Sequence, residues 1–334
     1  MASIKYIEYY LPVFELTNEE LARRFPNWSV EKISQKTGIN VRRITRSDEF
    51  ASDLAIHAAE KLFENSDISK EEIDFILYCT QSPDYFLPTT ACIIQQRLGL
   101  PTSVGALDYN LGCSGYVYGL ALANGLINSG ISKKLLLITA ETYSKFIHPQ
   151  DKGNLTLFGD AASASLITND GESNMAIQNF VFGTDGNGAD SLIVKNGGMK
   201  NFRAIGNDLY NDEDFVSNDD YLFMNGGEIF AFTSRAIPEL IHTLLLKSNL
   251  KLEDVDYFVF HQANKYMLNH IRKKLGIPEE KFLLFLESCG NTVSSTIPIV
   301  LNEMKKQQRF KKGDKILLAG FGVGLSWAGT ILEY

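Results

Sequence analysis

The chain has 334 residues, 45% hydrophobic and 22% charged, enough to bury a large core and too many for one pair of packed layers. Its net charge of −8 argues against a nucleic-acid binder, no apolar run reaches the roughly 18 residues that span a bilayer, and the N-terminus Met1-Ala2-Ser3-Ile4-Lys5 has no signal-peptide pattern. The expectation is a cytoplasmic globular protein without nucleic-acid or membrane partners. Cys79, Cys92, Cys113 and Cys289 form no Cys-x-x-Cys pair and have no His at ligand spacing, which argues against a disulfide framework and against a metal site.

In chain order, Ile73 to Cys79 is an apolar, strand-like run followed by a helix that ends in Leu98-Gly99-Leu100-Pro101. Val104 to Leu107 predicts a second strand and Tyr116 to Ile127 a long buried helix. Between them lies Leu111-Gly112-Cys113-Ser114-Gly115. A thiol at a Gly-flanked strand-to-helix turn sits where free backbone N–H groups and the positive end of the helix dipole favour thiolate over thiol. Cys113 is therefore a candidate nucleophile, although an arbitrary free Cys is more often a small buried hydrophobe.

Lys133 to Ile138 predicts a further strand. Residues 185–223, rich in Gly, Asn and Asp, read as a long surface excursion. Tyr221 to Lys247 predicts a helix with Gly226-Gly227 near its start and Ile229, Phe232, Ile237, Leu240, Ile241 and Leu244 at helical spacing. Val255 to Phe260 runs directly into His261-Gln262-Ala263-Asn264, and the turn Ser288-Cys289-Gly290-Asn291-Thr292 precedes another helix. Cys113, His261 and Asn291 each end an apolar run, where open α/β sheets gather their chemistry. Together they supply a nucleophile, an imidazole and an amide donor that can converge on one carbonyl.

The chain also repeats itself. Ile68 to Cys79 resembles Leu250 to His261, so that Ile73 falls opposite Val255 and Cys79 opposite His261. Both copies continue to a helix ending in Leu-Gly-Leu-Pro or Leu-Gly-Ile-Pro, and Leu135 then falls opposite Ile316. A period far above the roughly 20–50 residues of solenoids implies a duplicated half-domain. The halves are placed at 1–172, with the Cys, and 173–334, with the His and Asn. No Pro/Ser linker separates them, so they are expected to share one interface.

Asp108-Tyr109-Asn110-Leu111-Gly112-Cys113-Ser114-Gly115, Leu157-Phe158-Gly159-Asp160-Ala161-Ala162, His261-Gln262-Ala263-Asn264, Gly290-Asn291-Thr292 and Gly320-Phe321-Gly322-Val323-Gly324-Leu325-Ser326-Trp327 resemble, in order and spacing, the motif set of β-ketoacyl-acyl-carrier-protein synthase III. The resemblance runs from about residue 3 to the C-terminus. It implies an α/β thiolase fold of five layers, αβαβα, built from two duplicated halves, and a homodimer. It also implies decarboxylative condensation of an acyl thioester with a malonyl-type thioester, as in initiation of fatty-acid or related specialised biosynthesis. Cys113 would carry the acyl group, His261 and Asn291 would donate to the thioester carbonyl of the extender, and the backbone N–H groups of Cys113 and Val323 would form the oxyanion hole. Acyl-coenzyme A or acyl carrier protein would be a substrate, with no bound cofactor.

By the same resemblance, the substrate path would involve Lys32, Lys36, Leu87, Lys152, Phe158, Gly226, Gly227, Phe230, Asn264 and Phe321. Several of these depart from the family pattern. Lys32 and Lys36 replace the stacking Trp and the Arg that clasp adenine, Lys152 replaces an Arg, and Gly227 replaces an Asn. Lys keeps the charge and loses the planar fork. Trp28, one turn upstream, is a candidate substitute for the lost ring. Leu87 stands where many short-chain synthases carry a Phe contributed by the partner subunit, so its smaller side chain is expected to admit a longer or branched primer. Lys265, Arg272, Lys273 and Lys274 form a basic helix suited to an acidic carrier protein, set against the ordinary reading of a solvated face. A non-condensing acyltransferase and a non-catalytic partner subunit are the alternatives. Retention of His261 and Asn291 speaks against the first, and Cys113 against the second.

Overall fold

The computed structural model describes residues 1–169, 171, 175–212 and 214–334. Among these a nine-stranded ladder runs Tyr257–Phe260, Lys315–Gly322, Ser326–Glu333, Met175–Thr184, Ser3–Tyr10, Ala161–Thr168, Lys134–Glu141, Phe75–Cys79, Gly105–Tyr109. Its two halves join through Ser3 opposite Ala176 and Ile4 opposite Met175. Either side of that joint repeats the other. Phe75 pairs in parallel with Leu135, and Tyr257 pairs in parallel with Ile316. The strand Gly105–Tyr109 has only a remnant counterpart, a parallel bridge from Phe258 to Phe282. The boundary placed at 172/173 lies outside the described residues.

Helices Gly115–Asn128 and Thr296–Lys306 lie between the two half-sheets and touch strands of both. The first is apolar nearly all round, as a helix covered on two sides must be. Tyr116, Val117, Leu120 and Ile127 share a core with Ile297, Val300, Leu301 and Met304 of the second. Helices Ala51–Glu64 and Thr90–Leu98 cover the outer face of the first half-sheet, and Gly226–Lys247 with Lys265–Leu275 covers that of the second. The result is the five-layered thiolase arrangement.

Gly226–Lys247 is long and apolar enough to cross a membrane by length and composition. Its apolar face is buried against Ser326–Glu333 and Met175–Thr184, as in a core helix. The helix starts later than Tyr221 because Phe223–Met224 pairs as a strand with Leu192–Ile193, and Asn225 then caps it by accepting from the Glu228 N–H at 3.2 Å.

The central helix contains two glycines in opposite settings. A Cβ on Gly119 would press into the Tyr109 hydroxyl and Leu137, whereas one on Gly125 would meet nothing within 4 Å. Gly119→Ala is expected to destabilise by about 1–3 kcal/mol through overpacking, and Gly125→Ala to stabilise by up to about 1 kcal/mol through helix propensity. Thermal unfolding of the two variants checks this as midpoint shifts of opposite sign.

Candidate active site

Cys113 lies between the end of Gly105–Tyr109 and the start of Gly115–Asn128, 5% exposed. It is pressed against a strand of the other half. A Cβ on Gly322 would lie 2.7 Å from Sγ, and one on Gly320 would lie 2.8 Å from the Cys113 carbonyl oxygen. Burial pushes the thiol up to about 12, while the N–H groups of Val323 and of Cys113 itself pull it down. The expected preference for thiolate is thus corrected, because burial in the closed cavity outweighs the helix terminus. Both N–H groups hydrogen-bond toward the sulfur and so oppose that rise.

His261 follows the strand Tyr257–Phe260, and its N–H donates to Ala319 at 2.8 Å. Its Nδ1 is bonded to Thr296 Oγ1 at 2.8 Å, leaving Nε2 as the free ring nitrogen. The ring stands edge-on to Phe321 with centroids 5.7 Å apart. Burial pulls its pKa down to about 3, so the ring is neutral near pH 7.

Asn291 Oδ1 accepts from the Val293 N–H at 3.0 Å, which leaves the amide NH₂ as the group available to a ligand. Val293 holds φ 55°, unusual for a β-branched residue. That turn aims its N–H at Asn291 and its carbonyl at Thr296 Oγ1, which lies 3.0 Å away. Asn291 is in turn locked to the first half. Its N–H donates to Leu157 at 2.9 Å and its carbonyl accepts from Gly159 at 3.0 Å.

Cys113, His261 and Asn291 face one cavity of about 150 Å³, with Phe158, Phe321, Asn264 and Gly226 also in its wall. An outer cavity of about 440 Å³ shares Leu157, Met224, Gly226, Asn264 and Met267 with it, and extends to Trp28, Lys36, Gly227 and Phe230 at the surface. The two make a tunnel whose blind end is the thiol.

Apart from Lys36 at the mouth, the remaining predicted residues fall outside this tunnel. Lys32 and Lys36 lie over Trp28, with Nζ 5.8 and 5.5 Å from the ring centroid. Lys152, next to Gly153 of the mouth, is ion-paired to Asp214. Leu87 is 82% exposed on a projecting loop. Lys265 and Lys273 line a groove beside the mouth. Arg272 is tied to Glu279 and Ile277, and Lys274 donates to the Ser234 carbonyl.

Sequence reading missed Thr296, Val293 and Glu141. Glu141, fully buried, accepts from the Gln81 N–H at 3.0 Å, Ser294 Oγ at 2.9 Å and Ser82 Oγ at 3.2 Å, and burial pushes its carboxyl up to about 8. A signal existed. Glu141 ends the apolar run whose repeat partner ends in Gly322, so it marks where the two copies diverge.

A five-layered duplicated fold with Cys, His and Asn at the end of a buried tunnel defines the thiolase-type condensing enzymes. The family model described as 3-oxoacyl-[acyl-carrier-protein (ACP)] synthase III matches residues 107–186, and its C-terminal counterpart matches 245–334. The chain is 38% identical over 328 residues to the beta-ketoacyl-[acyl-carrier-protein] synthase III of Clostridium tetani (strain Massachusetts / E88), covering 97% of this chain and 96% of that one. It is 40% identical over 328 residues, with the same coverage, to that of Clostridium perfringens strain ATCC 13124. A crystal structure of a 3-oxoacyl-(acyl-carrier-protein) synthase III superposes with a TM-score of 0.97 at 47% identity, covering 100% of this chain and 99% of that one. The chain belongs to the 3-oxoacyl-[acyl-carrier-protein] synthase III family.

The lowered pKa of His261 has a consequence for stability. Between about 3 and the ordinary 6.5 the unfolded chain binds a proton that the folded chain refuses, so stability falls as pH drops through that window and is flat above it for this group. The slope contributed is about 1.4 kcal/mol per pH unit. Denaturant unfolding at pH 7, 6 and 5 should show His261→Gln losing less stability on acidification than the wild type. Equal losses would contradict a neutral buried His261.

Proposed function

We propose that this chain catalyses decarboxylative Claisen condensation of an acyl thioester with a malonyl-type thioester, the initiating step of fatty-acid or related biosynthesis. The carrying observation is the convergence of Cys113, His261 and Asn291 on one blind cavity at the end of a tunnel. Cys113 Sγ attacks the acyl carbonyl, the donor thiol leaves, and the tetrahedral oxyanion is met by the N–H groups of Cys113 and Val323. The extender then enters the same tunnel and loses carbon dioxide. The electron pair of the broken carbon–carbon bond becomes an enolate, whose oxygen accepts from Asn291 Nδ2 and from His261 Nε2. Thr296 has one hydroxyl proton and two acceptors, Val293 O and His261 Nδ1; given to Nδ1, it leaves Nε2 carrying the ring proton as donor. The carbanion attacks the acyl-Cys carbonyl, and the Cys113 thiolate departs.

Cys113→Ala is expected to abolish acyl adduct formation, read by intact mass. His261→Ala and Asn291→Ala should still be acylated yet lose decarboxylation on the order of 10²–10³-fold each, the usual effect of removing one oxyanion donor. Normal condensation in both would remove the assignment.

The reading favours a carrier protein over coenzyme A as donor. Trp28, the available ring at the mouth, already carries Lys32 and Lys36 over it, and the Lys152 charge is answered by Asp214. Lys265 and Lys273 remain on the groove beside the mouth for an acidic partner. A homodimer belongs to the same reading, supported by exposed Tyr85, Phe86, Leu87, Leu107 and Phe182, with Leu107 on the edge strand Gly105–Tyr109. A cytoplasmic location, where carrier-protein thioesters are used, completes it. Cys113 acylation by one acyl group on carrier protein should exceed that on coenzyme A at low salt, and the margin should shrink as the Debye length falls below about 10 Å. Equal or better use of the coenzyme A ester at every salt concentration would overturn the preference.

A further inference from the structure

Cys113 and the Val323 N–H beside it are set by the close contact with Gly320 and Gly322. His261 and Asn291 hang on a different piece of backbone, the turn Val293–Ser295 and the first residue of the helix that follows. The Val293 N–H fixes the Asn291 amide, and Thr296 Oγ1 holds His261 Nδ1. The aim of both donors therefore depends on where that turn lies.

Two serines fasten the turn to the strand Lys134–Glu141 of the first half. Ser295 Oγ donates to the Thr139 carbonyl at 3.2 Å and lies 2.8 Å from Thr139 Oγ1. Ser294 Oγ donates to Glu141 Oε1 at 2.9 Å. The other carboxylate oxygen accepts from the Gln81 N–H and Ser82 Oγ, just past the strand Phe75–Cys79. Glu141, Ser294, Ser295 and Thr139 are all buried. An apolar side chain would fill the place of Glu141 at less cost, as Leu135 to Ile138 do along the same strand, but it would leave Ser294 without its acceptor. The repeat adds a second observation. Gly322, the repeat partner of Glu141, presses on the thiol, so equivalent strand ends meet the nucleophile in one place and the donor turn in the other.

Resting on the condensing-enzyme reading above, we propose that Glu141 is a positioning residue for decarboxylation, holding through Ser294 the turn that aims Asn291 and His261, and that it has no part in loading Cys113. Without this tie the turn keeps its second anchor, Ser295 on Thr139, so it shifts instead of unfolding. Asn291 Nδ2 and His261 Nε2 then no longer converge on the enolate oxygen. The sulfur and the Val323 N–H stay where Gly320 and Gly322 place them.

The test measures two rates in the wild type, Glu141→Ala, Ser294→Ala, their double variant and Glu141→Gln. One is Cys113 loading from an acetyl group on carrier protein, by intact mass, and the other is carbon dioxide release from a saturating malonyl group on the same carrier. Each Ala variant should lower release at least about tenfold while loading stays within about threefold, since an ångström of misplacement costs up to about 10²-fold. The double variant should be at most about twofold slower than the worse single one, because both remove the same tie. Glu141→Gln should recover most of the rate, as its amide can donate to Ser294 Oγ and still accept from the Gln81 N–H. If Glu141→Ala does not fold, Ser294→Ala and Glu141→Gln carry the comparison. Unchanged release in the Ala variants, loading and release falling together, multiplied losses in the double variant, or Glu141→Gln as slow as Glu141→Ala would each overturn the positioning role and leave the condensing reading intact. A wild type that is acylated yet releases no carbon dioxide would overturn that reading and the positioning role with it.

Discussion

The site depends on how closely the two halves approach each other at Cys113. The nucleophile belongs to the first half, yet its sulfur and its carbonyl lie against the backbone of Gly322 and Gly320 in the second, with no room for a Cβ at either position. The same approach brings the Val323 N–H to the thiol and Phe321 to the His261 ring. A side chain at either glycine would part the half-sheets and move the Val323 N–H away from the sulfur. Burial follows from this contact, and it raises the thiol and lowers the imidazole together. Both groups rest in their uncharged forms, so the cavity holds no bare charge before a substrate arrives.

Neutral groups in a closed cavity must be aimed by hydrogen bonds, because no ion pair orients them. Val293 does much of that aiming, its N–H fixing the Asn291 amide and its carbonyl lying beside the Thr296 hydroxyl that holds His261. Its left-handed backbone costs on the order of 1–3 kcal/mol, and the surrounding packing, with Val293 fully buried, supports it. Asn291 is also bridged to Leu157 and Gly159 of the first half, so each half holds a donor or nucleophile that the other half positions.

This mutual positioning explains what was legible in the sequence. Cys113, His261 and Asn291 could be found because each ends an apolar run, and the internal repeat set His261 at the strand end equivalent to Cys79. The five layers came from the family resemblance, with which the repeat agrees. Thr296 and Val293 were invisible because one acts through a hydroxyl and the other through its backbone, both aimed by a turn inside an ordinary-looking Val-Ser-Ser-Thr stretch. The direction of the Cys113 shift was misread because a helix terminus is a local feature of sequence, whereas burial depends on Gly320 and Gly322 some two hundred residues away. The basic helix Lys265–Leu275 divided for a related reason. Its periodicity shows charges on a face, but ties such as Arg272 to Glu279 and Lys274 to Ser234 are set by tertiary neighbours.

A centre shared between two halves constrains the residues at the thiol more than those at the ends of the tunnel. Moving Cys113, His261 or Asn291 would disturb both half-sheets at once. At the outer end the excursion is fastened over the mouth, with Phe215 stacked on His148 at 4.1 Å, Tyr210 donating to Gln150 and Asp214 paired with Lys152. At the inner end Tyr143 packs on Phe158 and donates to Gln81, which rests against Gly112. The departures from the family pattern at Lys32, Lys36 and Lys152 sit at the outer end, away from the reacting atoms. Substitution at the outer end therefore leaves untouched the geometry on which bond formation depends.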